Sequence, residues 1–125
     1  MKMNLSANEW KLMNCLWENA PLTITELTAS LKSDPGWSKN TIITMLSRLE
    51  NKGAVRYESG KRAREYYPAV QRNDAEQAET ESFLDKVFGG SLGLMVNAMV
   101  QSRALSKPEL DELLQILEKA RKGQS

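Results

Sequence analysis

The chain has 125 residues, 41% hydrophobic and 26% charged, enough for one soluble domain or two small units sharing a core. A single cysteine, Cys15, and the lack of histidine exclude an internal disulfide, a Cys/His zinc site and any Ser-His or Cys-His dyad. The net charge of +1 hides an asymmetry: residues 1–72 hold 11 Lys and Arg against 7 Asp and Glu, whereas residues 73–125 hold 6 against 9.

Ser6-Ala7-Asn8-Glu9 is a capping box, with Ser6 as the cap and Glu9 reaching back. The helix that follows repeats Trp10, Met13, Leu16 and Trp17 on one side and ends at Pro21. Cys15, between Met13 and Leu16, reads as a small buried side chain. Thr23-Ile24-Thr25-Glu26 is a second capping box, opening a short helix that turns Leu27 and Leu31 inward. Ser33-Asp34-Pro35-Gly36 breaks it, and Trp37 precedes the next cap as a staple.

From Ser38 to Gly53 the spacing predicts a third helix. Ser38 caps its start and Gly53 accepts the left-handed conformation at its end. Ile42, Met45, Leu46 and Leu49 form its apolar stripe. The opposite face holds Asn40, Ile43, Thr44, Ser47 and Arg48, with Lys39 at the start and no acid before Glu50. Short hydroxyls, an amide and a guanidinium are groups that reach base edges and phosphates. A solvated amphipathic helix is the alternative, but two helices joined by a short turn have the spacing of a helix-turn-helix.

The periodicity then changes. Residues 54–58 and 63–67 read as strands around a turn at Ser59-Gly60-Lys61-Arg62. Three helices and a hairpin tipped by Lys61 and Arg62 make a winged helix-turn-helix, the tip placed to meet phosphate.

Beyond residue 72 the chain turns acidic and helical. One helix covers Asn73 to Phe88, with Phe83, Leu84, Val87 and Phe88 near its end, and Gly89-Gly90 stops it. Ser91 caps a second helix with Leu92, Leu94, Met95, Val96, Met99 and Val100. Ser106-Lys107-Pro108-Glu109 is a third capping box, and the last helix carries Leu110, Leu113, Leu114, Ile116 and Leu117. These helices are more apolar than one small core can cover, and burial against a second copy is the expected outcome. The fold class is therefore mainly α with a small β-hairpin wing: a winged helix over 1–72, then a three-helix dimerisation region over 73–125.

No catalytic constellation, glycine-rich phosphate loop or dinucleotide fingerprint is present, so neither an enzyme nor a bound cofactor or metal is expected. No stretch approaches the length of a membrane span and the N-terminus has no apolar signal core, which makes the cytoplasm the default location and excludes membrane insertion.

At these residues the chain resembles the penicillinase-repressor family of winged-helix regulators, which includes the BlaI and MecI repressors and the CopY copper repressors. The resemblance covers nearly the whole chain. In helix one it is carried by Ser6, Glu9, Met13, Leu16 and Trp17. In the recognition region it is carried by Trp37, Ser38, Thr41, Thr44, Leu46, Arg48, Leu49, Lys52 and Gly53, and in the wing by Arg62, Tyr66 and Pro68. Ser82-Phe83-Leu84, Gly90-Ser91-Leu92, Met95-Val96 and Leu105-Ser106 carry it in the tail.

What the resemblance implies is a homodimeric repressor of antibiotic-resistance or related genes, bound to an inverted-repeat operator in double-stranded DNA. It carries DNA contact onto Lys39, Asn40, Thr41, Thr44 and Arg48 and the wing contact onto Arg62; Ser47 and Lys61 join them from the face and the tip. Dimerisation falls to Phe83, Val87, Leu92, Met95, Met99, Leu110, Leu113 and Leu117. In β-lactam-responsive members a sensor protease acts within this region, and the family's cleaved Asn-Phe bond aligns with Ala98–Met99, Asn97 lying one position earlier. The cysteine cluster of the copper-responsive members has no counterpart here. A winged helix that docks a protein partner through Lys61, Arg62 and Arg64, or a small-molecule sensor without proteolytic induction, are the alternatives.

Overall fold

The computed structural model describes residues 4–34 and 36–123; Pro35, assigned above to the break after the second helix, lies outside them. Among the described residues, six helices and two strands follow in the order α1 (Ala7–Asn19), α2 (Ile24–Ser30), α3 (Lys39–Asn51), β1 (Val55–Ser59), β2 (Arg64–Pro68), α4 (Arg72–Phe88), α5 (Leu92–Ser102) and α6 (Lys107–Gly123). The chain forms two compact units, 1–82 and 83–125.

In the first unit the capping residues act as their chemistry dictates. Ser6 Oγ accepts from the Glu9 N–H, and the Ser6 N–H donates to Glu9 Oε1 at 2.7 Å. Thr23 and Glu26 repeat this reciprocal pair at α2. Ser38 Oγ accepts from the Thr41 N–H at 3.2 Å and starts α3. Gly53, at φ +79°, closes it. The side chains of Ser6, Thr23 and Ser38 give partners to amides at the helix starts, and at the end of α3 the Gly53 N–H donates to the Glu50 carbonyl at 3.0 Å.

The core gathers Leu12, Met13, Leu16, Leu27, Ile42, Leu46 and Leu49, all essentially fully buried. Trp10, Trp17 and Trp37 pack against its edge half-buried, because each indole is too large to be enclosed by so small a unit. Trp17 also donates its indole N–H to the Val70 carbonyl at 2.9 Å. Cys15 is half-buried rather than fully buried. Burial pushes its thiol up, and the charges of Glu18 and Asp34 add to this.

The strands sit one residue later than their spacing suggested. They pair antiparallel from Val55 opposite Pro68 to Ser59 opposite Arg64. Tyr66 extends the ladder: its N–H donates to the Leu22 carbonyl at 2.8 Å, and the Leu22 N–H returns a bond to the Tyr66 carbonyl at 3.1 Å. The wing is thus stitched to the segment between α1 and α2.

The second unit is built differently. Gly89 and Gly90, at φ +59° and +86°, turn the chain out of α4. Ser91 Oγ then accepts from the Leu94 N–H to cap α5. At α6 the Ser106 N–H donates to Glu109 Oε1 at 3.1 Å, and the Glu109 N–H donates to Ser106 Oγ at 3.3 Å. No residue of α5 or α6 is buried. No single helix among the described residues is long and apolar enough to cross a membrane.

Candidate nucleic-acid interface

The alternation of α3 divides its side chains cleanly. Ile42, Met45, Leu46 and Leu49 are buried against the core, so rotation of the helix is fixed by packing. Lys39, Asn40, Ile43, Thr44, Ser47 and Arg48 are all exposed. Asn40, Thr41, Thr44, Met45 and Arg48 border a shallow groove of 310 Å³ along this face. Thr41 is only half-exposed, and its hydroxyl lies 3.0 Å from Ser38 Oγ. Of the expected contact residues on α3, it is the one already engaged within the protein.

α3 cannot slide easily. At its C-terminal end the Lys52 ammonium donates to Glu9 Oε1 and to the Asn4 carbonyl, both at 2.7 Å. Glu9 is 2% exposed, the one charged side chain in the core of the described residues. Burial pushes the Glu9 carboxyl up, but the hydrogen bonds from Lys52 and from the Ser6 backbone outweigh it and hold the carboxyl below its ordinary value. The start of α1 and the end of α3 are therefore pinned by one carboxylate. Lys52 carried part of the family resemblance; its charge is committed inward.

The wing is a basic ribbon with ordered cations. Lys61 and Arg62 are exposed between the strands, as their turn position required. Two further arginines sit over aromatic rings, Arg64 over Tyr57 at 4.2 Å and Arg56 over Tyr67 at 4.3 Å from guanidinium carbon to ring centre. Arg56 is partly neutralised by Glu58 at 3.2 Å. Arg64 entered the sequence reading only in the protein-docking alternative, and its stack on Tyr57 is absent from the sequence-derived DNA contacts. Its signal was an Arg and a Tyr at diagonal positions of adjacent strands, Arg64 lying opposite Ser59 and Tyr57 opposite Tyr66, which needs the register to be known.

Beyond residue 82, seven of the eight side chains assigned to dimerisation are exposed: Phe83, Val87, Leu92, Met99, Leu110, Leu113 and Leu117. Met95 is half-buried. Leu94, Val96, Val100, Leu114 and Ile116 are exposed as well. Ala98 is half-buried and Met99 exposed, in the interior of α5.

Comparison with known proteins agrees with this geometry. The family model described as penicillinase repressor matches residues 5–119. The penicillinase repressor of Bacillus licheniformis is 33% identical over 114 residues, covering 91% of this chain and 89% of that protein. The methicillin resistance regulatory protein MecI of Staphylococcus aureus strain N315 is 29% identical over 115 residues, covering 92% of this chain and 94% of its own. The solution structure of monomeric Bacillus licheniformis BlaI in complex with the blaP half-operator superposes with a TM-score of 0.51 at 31% identity, covering 57% of this chain and 87% of that one.

Proposed function

The chain belongs to the penicillinase-repressor family of DNA-binding transcriptional repressors, and we propose that it works as a homodimer seated on an inverted-repeat operator. α3 lies in the major groove of each half-site. Asn40, Thr44, Ser47 and Arg48 face the base edges, Lys39 and Thr41 stand at the start of the helix, and Lys61 and Arg62 of the wing meet the flanking phosphates. The half-operator bound by the BlaI relative supports this docking.

One observation carries the dimer: twelve large apolar side chains beyond residue 82 remain 41–61% exposed. Covering the remaining half of such a side chain contributes roughly 1 kcal/mol. A two-fold interface counts each contact in both copies, so half of these residues suffice to match the roughly 4–15 kcal/mol that association costs. Holding two α3 helices together then raises the effective concentration of the second at its half-site.

Control through the tail follows from the same coupling. A sensor protease cutting Ala98–Met99 would separate Leu92 and Met95 from Met99 and all of α6. The dimer would loosen and operator affinity would fall with Thr44 and Arg48 untouched. The regulated genes are of the antibiotic-resistance or related stress class, as the names of the penicillinase and methicillin-resistance relatives suggest.

The test is sedimentation velocity over a concentration series, paired with titration of a full palindromic duplex and its isolated half. The proposal predicts a dimer and a palindrome bound far more tightly than the half-site. A monomer at micromolar concentration with equal affinity for both duplexes would refute it.

A further inference from the structure

Two large apolar side chains of the first unit are exposed among the described residues, Ile43 at 42% and Tyr57 at 39%. The other large hydrophobics described there are buried or half-buried. Tyr57 carries the Arg64 guanidinium on its ring. Ile43 instead stands in a polar neighbourhood: Asn40 lies one turn before it, Ser47 one turn after, and Thr44 follows it, all exposed.

Folding does not account for an isoleucine at this place. It adds little to the core, which α3 already fills with Ile42, Met45, Leu46 and Leu49. A β-branched residue also forms helix less readily than the Lys, Gln, Glu or Ala that suit an exposed helical position. A branched apolar group amid hydrogen-bonding side chains suits a surface that is itself mostly polar with one apolar feature. The major-groove edge of DNA has that character: every base pair presents donors and acceptors there, and thymine alone adds a C5-methyl.

On the DNA-binding reading above, we propose that Ile43 is a specificity-determining residue that packs against the methyl group of a thymine in each operator half-site. Asn40, Thr44 and Ser47 supply hydrogen bonds around it, while Ile43 distinguishes thymine from the other bases by an apolar contact. Removing one methyl from such a contact changes affinity by about fourfold.

The experiment uses the full-length protein and a duplex enriched from a random-sequence pool by the protein itself. Each thymine is replaced in turn by deoxyuridine, which deletes the methyl and leaves the pairing edge intact. For the wild type, one symmetry-related thymine position loses about fourfold per half-site, and about fifteenfold when both are replaced. Ile43→Ala binds the enriched duplex less tightly and no longer responds to deoxyuridine at that position, while Ile43→Val keeps a reduced response. Methyl-independent binding by the wild type would overturn the inference, as would an undiminished response in Ile43→Ala. Failure of the wild type to enrich any sequence would instead overturn the DNA-binding reading itself, and the contact with it.

Discussion

Glu9 and Lys52 offer an asymmetric perturbation whose outcome can be worked from their surroundings. The Glu9 side chain is 3% exposed and the Lys52 side chain 38% exposed, with 2.7 Å between charged atoms. Replacing Lys52 with Met strands a carboxylate in the core. Glu9 Oε2 already has no hydrogen-bond partner, and Oε1 would keep only the Ser6 N–H. Stranding a buried charge costs roughly 3–5 kcal/mol, and the remaining capping bond puts this case at about 3 kcal/mol. Glu9→Gln is milder. Glutamine still completes a capping box, and the half-exposed ammonium of Lys52 turns to water, so roughly 1–2 kcal/mol is lost. The double variant Glu9→Gln, Lys52→Met should recover part of the Lys52→Met loss, since no buried charge remains.

Trp10, Trp17 and Trp37 all lie in the first unit, so tryptophan fluorescence during urea denaturation reads the relevant transition. The carboxyl of Glu9 is depressed below the ordinary 4.5, so its stabilisation is fully present above that value and is lost as the pH falls through the lower folded-state pKa. The difference between wild type and Glu9→Gln should therefore be flat from neutral pH to about pH 5 and shrink below it. If Lys52→Met proved no more damaging than Glu9→Gln, the account of a buried charge held by one ammonium would be wrong.

Other perturbations separate DNA contact, assembly and packing. Arg48→Ala should weaken binding to the enriched duplex by roughly 1–3 kcal/mol with the sedimenting mass unchanged; equal affinity at fixed salt would remove Arg48 from the interface. Leu113→Glu should lower dimerisation first and operator affinity as a consequence, and a variant that stays dimeric would exclude Leu113 from the contact. The Cys15 thiol, held up by burial and nearby carboxylates, should react with iodoacetamide at pH 7.5 more slowly in the folded protein than in urea; equal rates would contradict its packing against the core.

Much of this fold was written locally. Ser6 with Glu9, Thr23 with Glu26, Ser38 and Ser106 with Glu109 each bond within one turn, so capping chemistry located the helix starts closely. The α3 stripe was equally legible, because one period of 3.6 residues placed all four of its buried residues. Non-local contacts were not. The Trp17 indole finds Val70 across 53 positions and Lys52 finds Glu9 across 43, and neither partner is marked by spacing. The Leu22–Tyr66 bridge likewise depends on how the wing folds back. At the candidate interface, polarity on α3 was visible in the sequence. The exposure of Ile43 became decisive only when the unit's other large apolar residues, Tyr57 apart, proved to be buried or half-buried.

The most direct measurement is a mobility-shift titration of the purified protein against the DNA upstream of its own gene, at two salt concentrations, with random duplex as competitor. Phosphate contacts release counterions, so a repressor using α3 and the wing binds tightly, resists competitor and weakens steeply as salt rises. Affinity no better than that for random duplex would contradict the central claim.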